Sequence, residues 1–220
     1  MTAEINLKEV ERRAWKSFFQ DGMWDIYLGL LLLAMGVSAW LSDQDISEVT
    51  LFAIYIPLLL LSMVVLWAGK RFITVPRMGR VKIGPKGKAR KRKARVLLFF
   101  SVVVGLALFL VALAAYNHPA GWASLIEYLL PAVWALNMLI VFGLGAYFLE
   151  FNRLYLHGVL YALAVPVDFL VGELTGVRLG AIAFIVPALV ILLVGGIVFF
   201  RFLRDYPLPK SPAAGEALNG

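Results

Sequence analysis

Residues 50–95 read TLFAIYIPLLLLSMVVLWA, then a glycine, then KRFITVPRMGRVKIGPKGKARKRKAR. The first nineteen positions, Thr50 to Ala68, carry no charge. That is close to the ~20 apolar residues a helix needs to cross ~30 Å of hydrocarbon. The 26 positions that follow, Lys70 to Arg95, hold twelve Lys or Arg and not one acid. A membrane span ending in a strongly basic loop settles the class of the fold, and the remaining sequence repeats the pattern.

Five more apolar runs have the length of a span: Met23–Leu41, Val96–Tyr116, Tyr128–Leu149, Leu154–Val171 and Leu179–Phe200. Over its 220 residues the chain is 61% hydrophobic and 16% charged, with a mean hydropathy of +0.84. A soluble domain is nearer half apolar and about a quarter charged. The expected fold is therefore an all-α polytopic membrane protein of six transmembrane helices. Six Trp, eight Tyr and fifteen Phe suit anchoring at two interfaces.

Charge sets the expected orientation. With both termini inside, Lys8, Arg12, Arg13, Lys16, the twelve bases of the loop, Arg153, Arg201, Arg204 and Lys210 all face the cytoplasm, 20 of 21 basic residues. Only Arg178 lies outside, while the first outer loop carries Asp43, Asp45 and Glu48. Loops this short obey the positive-inside rule. The expected location is the cell membrane. No cleavable signal peptide is expected in the first 22 residues, which mix acids and bases without an apolar run.

The chain divides accordingly. Residues 1–22 are expected to form a cytoplasmic, interfacial amphipathic helix, 23–68 the first two spans, 69–95 the basic loop, 96–204 spans three to six, and 205–220 a disordered tail. Asn6 and Glu9 read as a capping box. Leu7, Val10, Ala14 and Phe18 recur at helical spacing beside Trp15 and Phe19, opposite Lys8, Arg12 and Lys16. Such a helix lies in the inner interface or simply caps the bundle. In the loop, Phe72–Val75 and Arg80–Ile83 are rich in β-formers around Pro76-Arg-Met-Gly79, which predicts a short cytoplasmic basic β-hairpin. Lys88–Arg95 is expected to extend the third transmembrane helix.

Several residues stand out as candidates. Asp21 and Asp25 lie one turn apart at the inner mouth of the first span, where a carboxylate needs water or a partner. Arg77 of the expected turn is the preferred partner for Asp25, against simple interfacial solvation. Asn137, in the middle of the fourth span, reads as interhelical glue or as a ligand contact. His157, Tyr161 and Asp168 in the fifth span share much of one helical face. With Asn137 they form a candidate polar path, although His157 and Asp168 are about 16 Å apart along the axis at 1.5 Å per residue. Pro166 in the same span is expected to loosen the helix and free a carbonyl. Ser101, Gly105, Gly143, Gly145, Gly180, Ala181 and Ala183 suggest close helix packing.

Lys86, Lys88, Arg90, Lys91, Arg92, Lys93 and Arg95 are more bases than orientation requires. They read as a surface for anionic lipid of the inner leaflet, at roughly 1 kcal/mol per base, or for a partner protein; the plainer alternative is topology alone. Nucleic acid is disfavoured, because no aromatic residue is interleaved after Phe72. There is no Cys and only two His, so thiolate and His-rich metal sites are excluded. No Gly-x-Ser-x-Gly, His-Glu-x-x-His or Walker spacing occurs, and no cofactor is expected.

The segment Asp21-Gly-Met-Trp-Asp25-Ile-Tyr-Leu-Gly29, with Phe72-Ile-Thr-Val-Pro-Arg-Met-Gly-Arg-Val-Lys82 after it, resembles a group of uncharacterised prokaryotic multi-pass membrane proteins. The resemblance covers about the first 85 residues and implies no activity, substrate or cofactor. It marks Asp25, Gly29, Pro76, Arg77 and Gly79 as the motif-bearing positions. Function is thus expected to be non-enzymatic, resting on the basic inner face. The alternative is a small oligomeric transporter or channel built on the polar residues of spans four and five.

Overall fold

The computed structural model describes residues 15, 18–44, 46–78, 85–116 and 122–208. Helix α1 covers Met23–Ser42 and α2 covers Glu48–Ala68. A widened π-helical turn, Gly69–Thr74, then leads into the short α3, Val75–Met78. Next come α4 (Pro85–Tyr116), α5 (Trp122–Leu149), α6 (Arg153–Thr175) and α7 (Ile182–Asp205). Among the described residues six helical stretches are long and apolar enough to cross a membrane: Met23–Ser42, Glu48–Met78, Gly87–Val111, Tyr128–Leu149, Arg153–Thr175 and Ile182–Asp205. Hydrocarbon offers backbone groups no hydrogen bonds, so a spanning chain that does not close into a barrel satisfies them as helix.

The helices run up and down, so α1, α4 and α6 start, and α2, α5 and α7 finish, at the end of the bundle that carries Lys70, Arg90 and Arg153. We call this the basic end. The tightest pairing is antiparallel, α1 against α7, followed by α5 against α6; α4 packs along α5. Gly22, Gly29 and Gly36 explain the first of these. They recur every seven residues and face α7, where an added Cβ would meet Gly195 O at 2.5 Å, the Leu192 side chain at 2.7 Å and the Ile185 side chain at 2.7 Å. Small residues let membrane helices approach closely, which substitutes for the hydrophobic drive that lipid cannot supply. Of the small residues expected to pack, Gly145 meets Leu154, whereas Gly105 and Gly143 have open space beside them.

The expected β-hairpin does not form. Phe72–Val75 is helical, as the end of the π-helical turn and the start of α3, and there is no strand among the described residues. Arg80–Ile83 lies outside them. β-propensity is weak against context, and a two-stranded ribbon with no face to bury is marginal. Continuing a helix already begun needs no new nucleus. Pro76 has no N–H to donate, and the widened turn sits directly before it, where the helical ladder must change register.

Of the amphipathic helix expected over residues 1–22, residues 1–14 and 16–17 lie outside the described set, and 18–22 form a turn rather than a helix. Within that stretch Trp15 and Phe19 are buried in a cluster with Ala146, Phe151 and Leu154. Trp15 donates its indole N–H to the Leu149 carbonyl at 2.7 Å, so this segment is fastened across the α5–α6 corner. A second cluster, Leu32, Tyr161, Ala188 and Ile191, forms the core among α1, α6 and α7.

Candidate functional site at the basic end of the bundle

The site begins with two carboxylates that water does not reach. Asp21 and Asp25 are both fully buried, one turn apart where the chain enters α1. Gly22 between them takes a left-handed φ of +73°, which turns the chain into the helix against the backbone of α7. A buried carboxylate requires matching charge and hydrogen bonds, and each Asp has its own set.

Asp21 is held from α2's continuation. Lys70 Nζ lies 2.7 Å from Oδ2, and Thr74 donates its hydroxyl to the same oxygen. The Met23 backbone N–H donates to Oδ1 at 3.2 Å. Lys70 also donates to the Phe18 carbonyl at 2.6 Å and sits 4.4 Å from the Phe18 ring centroid. The π-helical turn brings Lys70 and Thr74 to one oxygen.

Asp25 is held from α6. Arg153 approaches with Nε at 3.1 and 3.2 Å from the two carboxylate oxygens and Nη2 at 2.9 Å. The same guanidinium donates to the Phe19 carbonyl at 2.6 Å and lies over the Phe151 ring. His157, one turn further along α6 and fully buried, places Nε2 3.2 Å from Asp25 Oδ1, but neither ring nitrogen has an aligned hydrogen bond. One turn on again, Tyr161 donates its hydroxyl to the Leu28 carbonyl. Arg153, His157 and Tyr161 thus form a polar stripe that sews α6 to α1.

Arg77 takes no part in this. Its Nη1 donates to the Ile73 carbonyl at 3.1 Å within its own helical segment, so the expected Asp25–Arg77 pair is replaced by Asp25–Arg153. Arg153 sits 128 positions away in the chain, and no local spacing signals that pairing.

The candidate path residues are likewise distributed. Asn137 donates to Ser101 Oγ at 3.1 Å, joining α5 to α4. Asp168, at the far end of the bundle, accepts the Gly180 N–H at 2.7 Å and has Arg178 Nη1 at 3.8 Å. His157 and Tyr161 belong to the Asp25 cluster. In α6 the Tyr161 carbonyl also accepts the Trp134 indole N–H at 2.9 Å, which ties α6 to α5.

Beside the cluster lies a water-open cavity of about 670 Å³, bordered by Arg90, Lys93, Glu150, Asn152, Arg153 and Tyr155. Arg90 Nη2 pairs with Glu150 Oε1 at 2.6 Å. Glu150 is the single described non-glycine residue with positive φ, +52°. It ends α5 in a left-handed turn in which the Phe151 N–H reaches back to the Ala146 carbonyl at 3.1 Å. Glycine is the usual occupant of that position, so a glutamate there trades some backbone strain for the Arg90 pair.

The other bases of α4 are placed differently. Lys88, Arg92, Lys93 and Arg95 are exposed, and no described acid lies within ion-pair distance of them. Lys91 is half-buried, with Nζ 4.7 Å from the Phe18 centroid and 5.9 Å from that of Trp15. Lys86 is in the first turn of α4. Among the described residues no group of His, Cys, Asp or Glu is arranged to hold a metal ion. Comparison with family models, curated proteins and solved structures finds no match for this chain.

Proposed function

We propose that the chain is a non-enzymatic multi-pass protein of the cell membrane, with both termini and the basic end in the cytoplasm, whose α4 extension holds the anionic inner leaflet. The supporting observation is a mismatch of charge. Asp21 and Asp25 each have a basic partner, Lys70 and Arg153, whereas Lys88, Arg92, Lys93 and Arg95 stand exposed with no described acid near them. Four such bases near an anionic surface contribute about 1 kcal/mol each. The reading agrees with the resemblance of residues 21–29 and 72–82 to segments of multi-pass membrane proteins, which adds no reaction. A partner protein with an acidic surface is the other occupant this face suits.

The test is the lipid shell of the full chain. Discs are excised with polymer from membranes mixing phosphatidylglycerol and phosphatidylethanolamine, and their lipid ratio is compared with the bulk. Phosphatidylglycerol is enriched around the unaltered chain, and replacing Lys88, Arg92 and Lys93 with Gln returns the shell towards bulk composition. A shell at bulk composition for the unaltered chain contradicts the reading. Because the chain has no native Cys, single cysteines replacing Lys88 and Ser47 report orientation: Lys88→Cys is labelled from the inside and Ser47→Cys from the outside.

A further inference from the structure

Helix α4 packs along α5 but makes no comparable interface with α1. The gap is an apolar groove of about 420 Å³, walled by Trp24 and Leu28 of α1, Leu98 of α4 and Phe142 of α5, with Lys91 and Arg95 at its basic end. On α4 the residues lining it are Lys91, Ala94, Arg95, Leu97 and Leu98; four of them, Lys91, Ala94, Arg95 and Leu98, are spaced i, i+3, i+4 and i+7 along one helical face, with Leu97 at its edge. That face is cationic for one turn and apolar below it. Its polarity matches that of a phospholipid standing in a leaflet, headgroup at the interface and chain in the hydrocarbon.

We propose that this groove is a site for one anionic phospholipid, its phosphate shared by Lys91 and Arg95 and one acyl chain lying against Trp24, Leu28, Leu98 and Phe142. The proposal deepens the lipid-surface reading and rests on it for the orientation of the basic end. Two observations commit the groove to this occupant. Like charges one turn apart on a helix repel, and a single phosphate between them removes the repulsion. Lys91 is also held in place by the Phe18 and Trp15 rings, so the donor is positioned before any ligand arrives. An acyl chain gains little by leaving the bilayer for an apolar groove, since lipid tails are as apolar as the groove. Selection therefore falls on the headgroup, at roughly fivefold per base and about 25-fold for the pair.

The full chain, extracted in mild detergent from a membrane of phosphatidylglycerol and phosphatidylethanolamine, is examined by native mass spectrometry. One phosphatidylglycerol is retained per chain. Joint replacement of Lys91 and Arg95 by Gln lowers the retention of phosphatidylglycerol relative to phosphatidylethanolamine about 25-fold. Ala94→Phe fills the groove with every charge in place and removes the bound lipid; Val141→Phe does the same from α5, and an unfolding midpoint shows which variants are folded. Retention of the lipid by both folded groove-filling variants overturns the proposal. So does its displacement by soluble glycerol phosphate alone, or a lipid-free dimer in which a second copy covers the groove. Loss of shell enrichment in the Lys88, Arg92 and Lys93 variant leaves this site intact, whereas loss of the retained lipid with the shell still enriched removes the site and spares the broader reading.

Discussion

The basic end of the bundle holds two sets of charges in opposite circumstances. Around Asp21 and Asp25 the carboxylates are buried and matched: Lys70 and the Thr74 hydroxyl close on one, and Arg153, which also borders the open cavity, on the other. Along α4, Lys88, Arg92, Lys93 and Arg95 are turned outward. Burial decides what each set can do. An ion pair whose carboxylate is buried is screened less by salt than an exposed one and is costly to break, so it fixes geometry. An exposed base contributes little to folding and remains available to an external anion. The same residue types therefore fasten the pre-α1 segment, α1, α2 and α6 in one place and present a cationic surface in the other.

The sharpest way to break this contrast is Asp25→Ala. It leaves Arg153 and the buried His157 without their carboxylate, and because Arg153 also borders the open cavity the expected cost is about 2–3 kcal/mol in an unfolding titration in detergent. A loss below about 1 kcal/mol would place the pair with surface ion pairs instead. Reversing both charges, Asp25→Arg with Arg153→Asp, recovers part of that loss relative to either single reversal. Next comes Gly22→Ala, which puts a Cβ 2.5 Å from the Gly195 carbonyl at a φ of +73°. The expected destabilisation is about 2 kcal/mol, from backbone conformation and displacement of α7 together. Asn137→Ala removes the bond to Ser101 and is expected to cost about 0.6 kcal/mol, the usual size for an interhelical hydrogen bond in lipid. Smallest is the joint replacement of Lys88, Arg92 and Lys93 by Gln, with a stability change within about 0.5 kcal/mol. Its effect is on the lipid shell. A large loss of stability there would show these bases to be structural.

Much of the framework is legible in the sequence because hydropathy is a local signal. The expected span Tyr128–Leu149 matches the apolar part of α5, and Met23–Leu41 ends one residue short of α1. Asp21 and Asp25 stand out for the same reason, as charges at the edge of an apolar run. Their partners are not local. Lys70 and Arg153 reach them only after the chain has crossed and recrossed the bundle, and nothing in the Arg77 neighbourhood excludes it beforehand. His157 is conspicuous as an ionisable residue in a span, yet face alone does not say which helix it meets, and it meets α1 rather than a path to Asp168. The hairpin expectation gave weight to Phe72, Ile73, Thr74 and Val75 as β-formers and none to the helix running into them. The sequence also held a signal that the expectations above leave out: Gly22, Gly29 and Gly36, at intervals of seven, mark the face that α7 covers.

The most direct measurement follows both regions in one sample as salt rises. The full chain is held in mixed phosphatidylglycerol and phosphatidylethanolamine membranes from low salt to about 1 M, where the screening length falls to about 3 Å. Lipid-shell composition and unfolding midpoint are read at each step. The account predicts that phosphatidylglycerol enrichment falls towards the bulk value while the midpoint changes little, because α4's exposed bases are screened far more than the pairs of the buried Asp21 and Asp25. Enrichment that ignores salt, or a midpoint that falls in step with it, contradicts the account.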